Sequence, residues 1–225
     1  MAATMSCQST KSNMKTVVND ALDFSQKQYL NMAKKYENAE GILPRSYEKG
    51  KDVTSDSRWW CSGFFPGSLW YLYEYNKDPE MLKYAEMYTQ RVEREKFTTD
   101  NHDVGFMLYC SFGNGLRLTN NKEYEEVLLT GANSLATRYK SNVGLIRSWD
   151  HNAKEWQYPV IIDNMMNLEL LLWASKYSND NKLKEIALSH ADKTMEHHFR
   201  PDHSSYHLVS YDTITALPHK KQTHQ

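Results

Sequence analysis

The strongest constraint on the fold is the alternation of two kinds of helical segment along the chain. One kind is apolar on nearly every side, whereas the other carries its apolar residues on a single stripe. A helix that is apolar all round has to be covered on every side, while a striped helix keeps one face in water. We therefore predict helical hairpins, each built from one inner and one outer helix. The predicted inner helices are 64–75, 106–116 and 165–174, and the outer helices cover 82–92, 124–135 and 183–195.

Short polar turns join the two helices of each predicted hairpin. These turns are 76–79, 119–122 and 178–181, and they align as a weak internal repeat. Asp78 suits an N-cap and Pro79 suits the first helical position. Residues 14–36 also show helical periodicity, whereas the polar segment 41–57 is predicted as a loop. Because strand signals are scarce, the sequence predicts an all-α protein with essentially no sheet.

Composition excludes several classes of protein. Hydrophobic residues make up 40% and aromatic residues 12% of the 225 residues, which is enough for a sizeable core and excludes a disordered polymer. The 27 Lys and Arg residues nearly balance the 28 Asp and Glu residues, so no global charge favours nucleic acid or an anionic membrane as a partner. No apolar run is long enough for a membrane span. The three cysteines lack CxxC spacing, which argues against a disulfide framework or a zinc ribbon.

The first residues resemble the end of a bacterial lipoprotein signal. Small residues precede Cys7 and a polar stretch follows it, as at a cysteine that becomes acylated. We interpret 1–13 as a leader remnant, Cys7 as a candidate lipid anchor, and 14–225 as one domain. The expected location is then the periplasm or the outer membrane. The charged start and most of the apolar region of such a signal are absent, so an unstructured leader with an incidental cysteine is the alternative.

The residues that precede the three inner helices also align with one another. Residues 61–64, 103–106 and 163–166 occupy equivalent places in their hairpins. Equivalent positions in stacked hairpins converge at one end of the array. We therefore expect one open end of the array, called the mouth below, to be lined by Trp60, Asp103, Asp163 and the loop that carries Trp149.

Asp103 and Asp163 are the candidate catalytic residues. Each begins an inner helix, so the alternative is that both are N-caps that contribute about 1 kcal/mol each. The apolar residues around Asp163, such as Ile162 and Met165, would raise the pKa of its carboxyl group, as a general acid requires. Asp103, beside His102, is expected to remain ionised. Two carboxyl groups in different environments can take different roles.

The tryptophans divide by position. Trp70 and Trp173 lie within predicted inner helices and are expected in the core. Three others stand in loops or before helices, where an indole face can stack on a sugar ring: Trp59, Trp60 and Trp149.

Polar residues near these tryptophans could contact an anionic substrate group, although exposed arginines are more often simply solvated. They are Arg58, Arg147 and Ser148. Seven of the nine histidines cluster late in the chain but lack the spacing of a zinc site, so no metal is predicted. His207 lies where the chain is expected to return to the mouth and is a candidate polar site residue.

Five blocks together are similar to the unsaturated glucuronyl hydrolases of glycoside hydrolase family 88. The blocks read RWWCSGFFPG from residue 58, HDVGF from 102, RSWD from 147, PVIIDNMMNL from 159 and HFRPD from 198. The resemblance extends in order from residue 15 to residue 225. It implies an (α/α)6 barrel and hydrolysis of the 4,5-unsaturated uronic acid at the non-reducing end of oligosaccharides, of the glycosaminoglycan type, that polysaccharide lyases produce.

The same resemblance implies residue roles. Asp163 matches the general acid/base of the family and Asp103 its second essential aspartate. Neither a metal nor a nucleotide cofactor is implied, and the implied partner is the unsaturated oligosaccharide substrate. The residues implied to line or approach the sugar are Trp60, His102, Trp149 and His207.

The chain is short for this fold. Six hairpins at this spacing need roughly 350 residues, so we expect an incomplete (α/α)6 barrel with about seven of twelve helices. Such a chain is expected to be poorly soluble or oligomeric and inactive alone, because its inner helices lack partners. Two alternatives remain: an unsaturated rhamnogalacturonyl hydrolase acting on pectin fragments, and a non-catalytic carbohydrate-binding helical fragment. The presence of both aspartates argues against the second.

Overall fold

Helices form most of the structure, a computed structural model that describes residues 13–223. A π turn, Tyr109–Gly113, joins helix α4, Val104–Leu108, to helix α5, Asn114–Thr119, so the two run as one interrupted helix. Counted in this way, residues 13–223 contain seven helices, apart from the short 3-10 turn Glu93–Phe97. The bounds are α1 Met14–Lys35, α2 Phe64–Asn76, α3 Pro79–Gln90, α4 Val104–Leu108, α5 Asn114–Thr119, α6 Glu123–Ala136, α7 Asn164–Ser178 and α8 Asn181–His198.

The helices pair into three hairpins as the sequence predicts: α2 with α3, α4–α5 with α6, and α7 with α8. Each inner helix ends at a residue in the left-handed region, and φ is 59° at Lys77, 56° at Asn120 and 57° at Asn179. A residue in the left-handed conformation ends the helix, and its N–H can bond to one of the last carbonyl groups of that helix. The predicted internal repeat is thus confirmed. Asp78 also caps α3 as predicted, since its carboxylate accepts the Glu80 N–H at 2.8 Å.

The inner helices pack against the outer ones through one continuous apolar core. Trp70 on α2 is fully buried, and its indole N–H donates to the Thr89 hydroxyl on α3 at 2.9 Å. This hydrogen bond satisfies a polar atom that burial would otherwise leave unpaired. Trp173 on α7 is half-buried and stacks on Tyr177. Trp70 is therefore a core residue as predicted, and Trp173 packs against the edge of the core.

The prediction of essentially no sheet is wrong, since residues 13–223 form three small antiparallel sheets. The segment predicted as a loop folds into a hairpin, and its turn residues Lys49 and Gly50 have φ values of 49° and 80°. Positive φ at both central residues matches the twist of the flanking strands. The strands are β1 Leu43–Glu48 with β2 Lys51–Ser55, β3 Tyr139–Lys140 with β4 Leu145–Ile146, and β5 Pro159–Ile161 with β6 Leu208–Tyr211 and β7 Pro218–Gln222.

The start of the domain coincides with a helix cap. The Asn13 side chain accepts the Lys15 N–H at 3.2 Å and so caps α1. The predicted leader at 1–13, including Cys7, otherwise lies outside the described residues. Among residues 13–223, no helix has both the length and the hydropathy that crossing a membrane requires.

Candidate active site

Two carboxyl groups from different hairpins meet at one buried histidine. Asp103 precedes α4 and Asp163 precedes α7. The His102 Nε2 atom lies 3.3 Å from Asp103 Oδ1 and 3.8 Å from Asp163 Oδ1. The two inner helices therefore begin at the same end of the array and direct both carboxyl groups to one point, as the aligned helix starts predict.

Both aspartates stand at the N-cap positions of their helices, but the prediction that their side chains stabilise the helix starts by capping is wrong. No cap hydrogen bond is made by the side chain of Asp103 or of Asp163. On α4 the Phe106 N–H, one of the first amides of the helix, donates instead to Asn167 Oδ1 on α7 at 2.8 Å. This close approach requires Gly105, because a Cβ there would lie 2.6 Å from the Asn167 Cα. Because Asn167 on α7 accepts this amide hydrogen, the Asp103 carboxyl group is not needed as its partner and is available for chemistry.

The order of the pKa shifts of the two carboxyl groups differs from the sequence prediction. Burial, with a smaller contribution from the charge of Asp163, raises the pKa of Asp103 to about 7. Burial also raises the pKa of Asp163, as predicted, but nearby His207 and two backbone N–H groups oppose the shift. The prediction that Asp103 remains ionised more readily is wrong, because its side chain is 15% exposed and that of Asp163 is 38% exposed.

His102 lies behind the two carboxyl groups. Its side chain is 2% exposed, so it does not face the space that a sugar would enter. Burial, the largest cause, lowers the pKa of His102 to about 3, and the ring is neutral at physiological pH. The Nδ1 atom lies 3.2 Å from the Ser148 hydroxyl. The hypothesis that Ser148 contacts an anionic substrate group is wrong, since this serine is 1% exposed.

Of the three tryptophans predicted to stack on a sugar, Trp59 is covered by the Arg45 guanidinium group, 4.1 Å from its ring centroid, and the other two take different positions near the pair. Trp60 is 43% exposed and packs edge-on against Phe106, with ring centroids 6.0 Å apart. Because Phe106 is one helical turn after Asp103, the exposed indole of Trp60 flanks the carboxyl pair. Trp149 is half-buried and pairs by its backbone with Asn101, two residues before Asp103. Its ring stacks on His151 at 5.2 Å.

The arginines at the mouth are already paired. Arg58 contacts Asp100 at 2.6 Å, and Arg147 contacts Asp150 at 3.0 Å. A substrate carboxylate would therefore compete with a carboxylate of the protein for either guanidinium group.

His207 reaches the site through the sheet that β5, β6 and β7 form. The Ile162 N–H donates to the His207 carbonyl oxygen at 2.9 Å, directly after β5. This pairing holds His207 next to Asp163, and the Coulombic interaction with His207 opposes the rise in the pKa of that carboxyl group. The prediction that the chain returns to the mouth at this residue is thus confirmed.

Two buried asparagines on α7 complete the site and were not predicted as site residues. Asn164 donates to the Ile146 carbonyl oxygen at 3.2 Å, and its side chain also faces His102. Asn167 accepts the α4 amide described above. A polar residue in the first turn of a helix that is apolar on every side needs a buried partner. The sequence Asn164-Met-Met-Asn167 carries that signal.

The side chains of His102, Asp103 and Asp163 could also serve as metal ligands. Ligand atoms of His102, Asp103 and Asp163 all lie within 4.8 Å of one another, a separation that a cation could bridge. The sequence predicts no metal requirement, and this stays a prediction.

Helical hairpins that present a carboxyl pair and an exposed tryptophan at the inner helix starts have the parts of a glycoside hydrolase site, namely two carboxyl groups and an aromatic face for a sugar. The comparison with protein families identifies which one. The model for Glycosyl Hydrolase Family 88 matches residues 14–217, and the chain belongs to that family.

Relatives and solved structures agree with the family. The chain is 46% identical to an unsaturated glucuronyl hydrolase of Formosa agariphila over 186 residues, which are 81% of this chain and 46% of that protein. It is 33% identical over 174 residues to an unsaturated chondroitin disaccharide hydrolase of Streptococcus pyogenes, covering 76% of this chain and 43% of that one. The structure of an unsaturated glucuronyl hydrolase specific for heparin superposes with a TM-score of 0.84 at 42% identity, covering 92% of this chain and 56% of that chain. The chain thus spans about half the length of the curated relatives it matches.

Proposed function

We propose that this chain supplies the catalytic carboxyl groups of a hydrolase that removes a 4,5-unsaturated uronic acid from the non-reducing end of oligosaccharides. The observation that carries the proposal is the carboxyl pair at His102: neither group caps its helix, and burial raises the pKa of both. A raised pKa suits a carboxyl group to general acid catalysis.

The proposed mechanism begins with protonation of an enol ether. Asp163, the more exposed carboxyl group, gives its proton to C4 of the substrate, and positive charge develops at C5 and the ring oxygen. The Asp163 carboxylate then takes a proton from the water that attacks C5. The hemiketal opens and releases the neighbouring sugar. The glycosidic bond is broken without attack at the anomeric carbon, unlike hydrolysis by the usual pair of flanking carboxyl groups.

The two carboxyl groups are proposed to share one proton. In the free site Asp103 holds it more strongly, because Asp103 is the more buried of the two. A sugar seated on Asp163 would remove the water that now reaches its side chain, which raises the pKa of Asp163 and moves the proton toward C4. Ionised Asp103 would then stabilise the positive charge at C5.

The proposed substrates are unsaturated oligosaccharides of the glycosaminoglycan type. Support comes from the names of the relatives, which specify chondroitin disaccharide and heparin. Trp60 offers an exposed indole face on which a sugar ring can stack. We retain unsaturated rhamnogalacturonyl oligosaccharides from pectin as the alternative that the experiment below decides.

We further propose that the seven helices form the N-terminal part of an (α/α)6 barrel. Support comes from coverage of about half of each relative, together with large apolar side chains exposed on the inner helices, among them Tyr71, Met166 and Leu172.

Export with a lipid anchor at Cys7 is a separate proposal from the sequence pattern alone. Replacement of Cys7 by Ala should then release the protein from the membrane fraction of the cell.

The test uses a fusion in which this chain replaces the matching N-terminal part of the Formosa agariphila enzyme, called the fusion enzyme below. Consumption of the double bond is followed by the loss of ultraviolet absorbance of the unsaturated uronate. We expect turnover of an unsaturated chondroitin or heparin disaccharide, and Asp163→Asn should lower kcat by about 100-fold or more with little change in Tm. Asparagine keeps the size of the side chain but cannot deliver the proton.

Three results would contradict the proposal. Near-normal turnover by Asp163→Asn would refute the mechanism. Turnover restricted to pectin-derived substrates would establish the rhamnogalacturonyl alternative, and binding without turnover would establish a non-catalytic module.

A further inference from the structure

On the basis of the function proposed above, we propose that Ser148 is a positioning residue that fixes the tautomer of His102. In this tautomer Nδ1 accepts the serine proton, and the Nε2–H is directed at the carboxyl pair. Ser148 does not touch the substrate and acts only through His102.

The contacts of the Ser148 hydroxyl determine the direction of this hydrogen bond. The hydroxyl oxygen accepts the Ile161 N–H at 2.9 Å and lies 3.2 Å from His102 Nδ1. Among residues 13–223, Nδ1 is the acceptor within hydrogen-bond distance of this hydroxyl, and burial of the serine keeps bulk water away. The opposite tautomer would place two protons between Oγ and Nδ1 and leave one of them unpaired in a buried site.

The backbone of Ser148 makes its hydroxyl position rigid. Its N–H donates to the Pro159 carbonyl oxygen at 2.8 Å, and its own carbonyl oxygen accepts the His102 N–H at 3.2 Å. One residue thus connects the segment before α4 to the segment before α7. The backbone and the imidazole of His102 are thus bonded to the same serine.

The consequence of this tautomer appears at the carboxyl pair. With Nδ1 occupied as an acceptor, the ring hydrogen lies on Nε2, which is 3.3 Å from Asp103 Oδ1 and 3.8 Å from Asp163 Oδ1. An N–H donor favours the ionised form of a carboxylate. The other charged or titratable groups that act on His102 are Arg138, His190 and His207, and each favours the neutral ring. His102 is therefore a fixed neutral donor.

The experiment compares Ser148→Ala with the matched control Ser111→Ala in the fusion enzyme. Ser111 is also fully buried, but its hydroxyl donates to the Met107 carbonyl oxygen at 2.6 Å and is remote from His102 in the hydrogen-bond network. The 15N chemical shifts of labelled histidine report which ring nitrogen of His102 is protonated, and His102→Gln assigns the signal. Kinetics give kcat, KM and the pH dependence of kcat/KM.

We expect the unsubstituted protein and Ser111→Ala to show a single tautomer with hydrogen on Nε2, and Ser148→Ala to show a mixture. Loss of orientation should lower kcat by roughly ten- to a hundredfold with KM nearly unchanged. The acid limb of kcat/KM should move to higher pH, because a carboxylate that loses a donor ionises less readily. A purely structural role would lower Tm without moving this limb.

The two proposals fail in different ways. A His102 signal with hydrogen on Nδ1, or Ser148→Ala kinetics equal to those of Ser111→Ala in an active fusion enzyme, would overturn the role of Ser148. An inactive fusion enzyme that still shows the Nε2–H tautomer would contradict the proposed function and leave the tautomer assignment intact.

Discussion

Replacing Asp103 by Asn should make the protein more stable at neutral and alkaline pH. Burial raises the pKa of Asp103 from 3.8 to about 7, so between these pH values the folded protein binds more protons than the unfolded chain. The free energy of unfolding therefore falls as pH rises from about 4 to 7. At about 1.4 kcal/mol per pKa unit, the full shift corresponds to at most about 4 kcal/mol above pH 7. An asparagine side chain does not ionise, so the Asp103→Asn variant lacks this loss.

Urea unfolding of the fusion enzyme at a series of pH values between 4 and 9 measures the effect. We expect Asp103→Asn to match the parent near pH 4 and to exceed its free energy of unfolding by about 1 to 4 kcal/mol near pH 8. Asp212→Asn is the control of opposite sign, because the Thr215 and Ile214 N–H groups lower the pKa of Asp212. An Asp103→Asn variant that is no more stable than the parent at pH 8, or equally stabilised at pH 4, would refute the electrostatic reasoning.

Two further substitutions separate packing from chemistry. Asn167→Ala leaves the Phe106 N–H without its partner, so urea unfolding should show a loss of about 1 to 3 kcal/mol. Turnover of the fusion enzyme should fall as well, because α4 carries Asp103; unchanged turnover would contradict a role for this contact in positioning the site. Trp70→Phe removes the hydrogen bond to Thr89 and should lower stability by about 1 kcal/mol with kcat unchanged, and a large fall in kcat would disprove its assignment to the core.

Much of the helical framework follows from local patterns in the sequence. Apolar periodicity locates the helices, and polar turns such as Asn76-Lys-Asp-Pro79 locate the ends of the hairpins, because capping and left-handed termination depend on a few adjacent residues. The equivalent starts of α4 and α7 were enough to predict that Asp103 and Asp163 converge. The Lys49-Gly50 turn was a local signal as well, and it was missed because the flanking strands are polar.

Other features depend on which segments pack together. Strand β5 pairs with β6, almost fifty residues later, and this long-range pairing places His207 beside Asp163. No local pattern determines such a pairing, since short strands acquire their stability from the partners they find.

What the sequence alone determined about this protein is therefore the set of hairpins, the end of the array where the site lies, and the two aspartates. The tertiary structure decided how deeply each polar group is buried. Burial raises the pKa of Asp103 to about 7, and burial also removes His102 and Ser148 from solvent. Burial is a property of all the neighbours of a side chain, and most of these neighbours are distant in sequence.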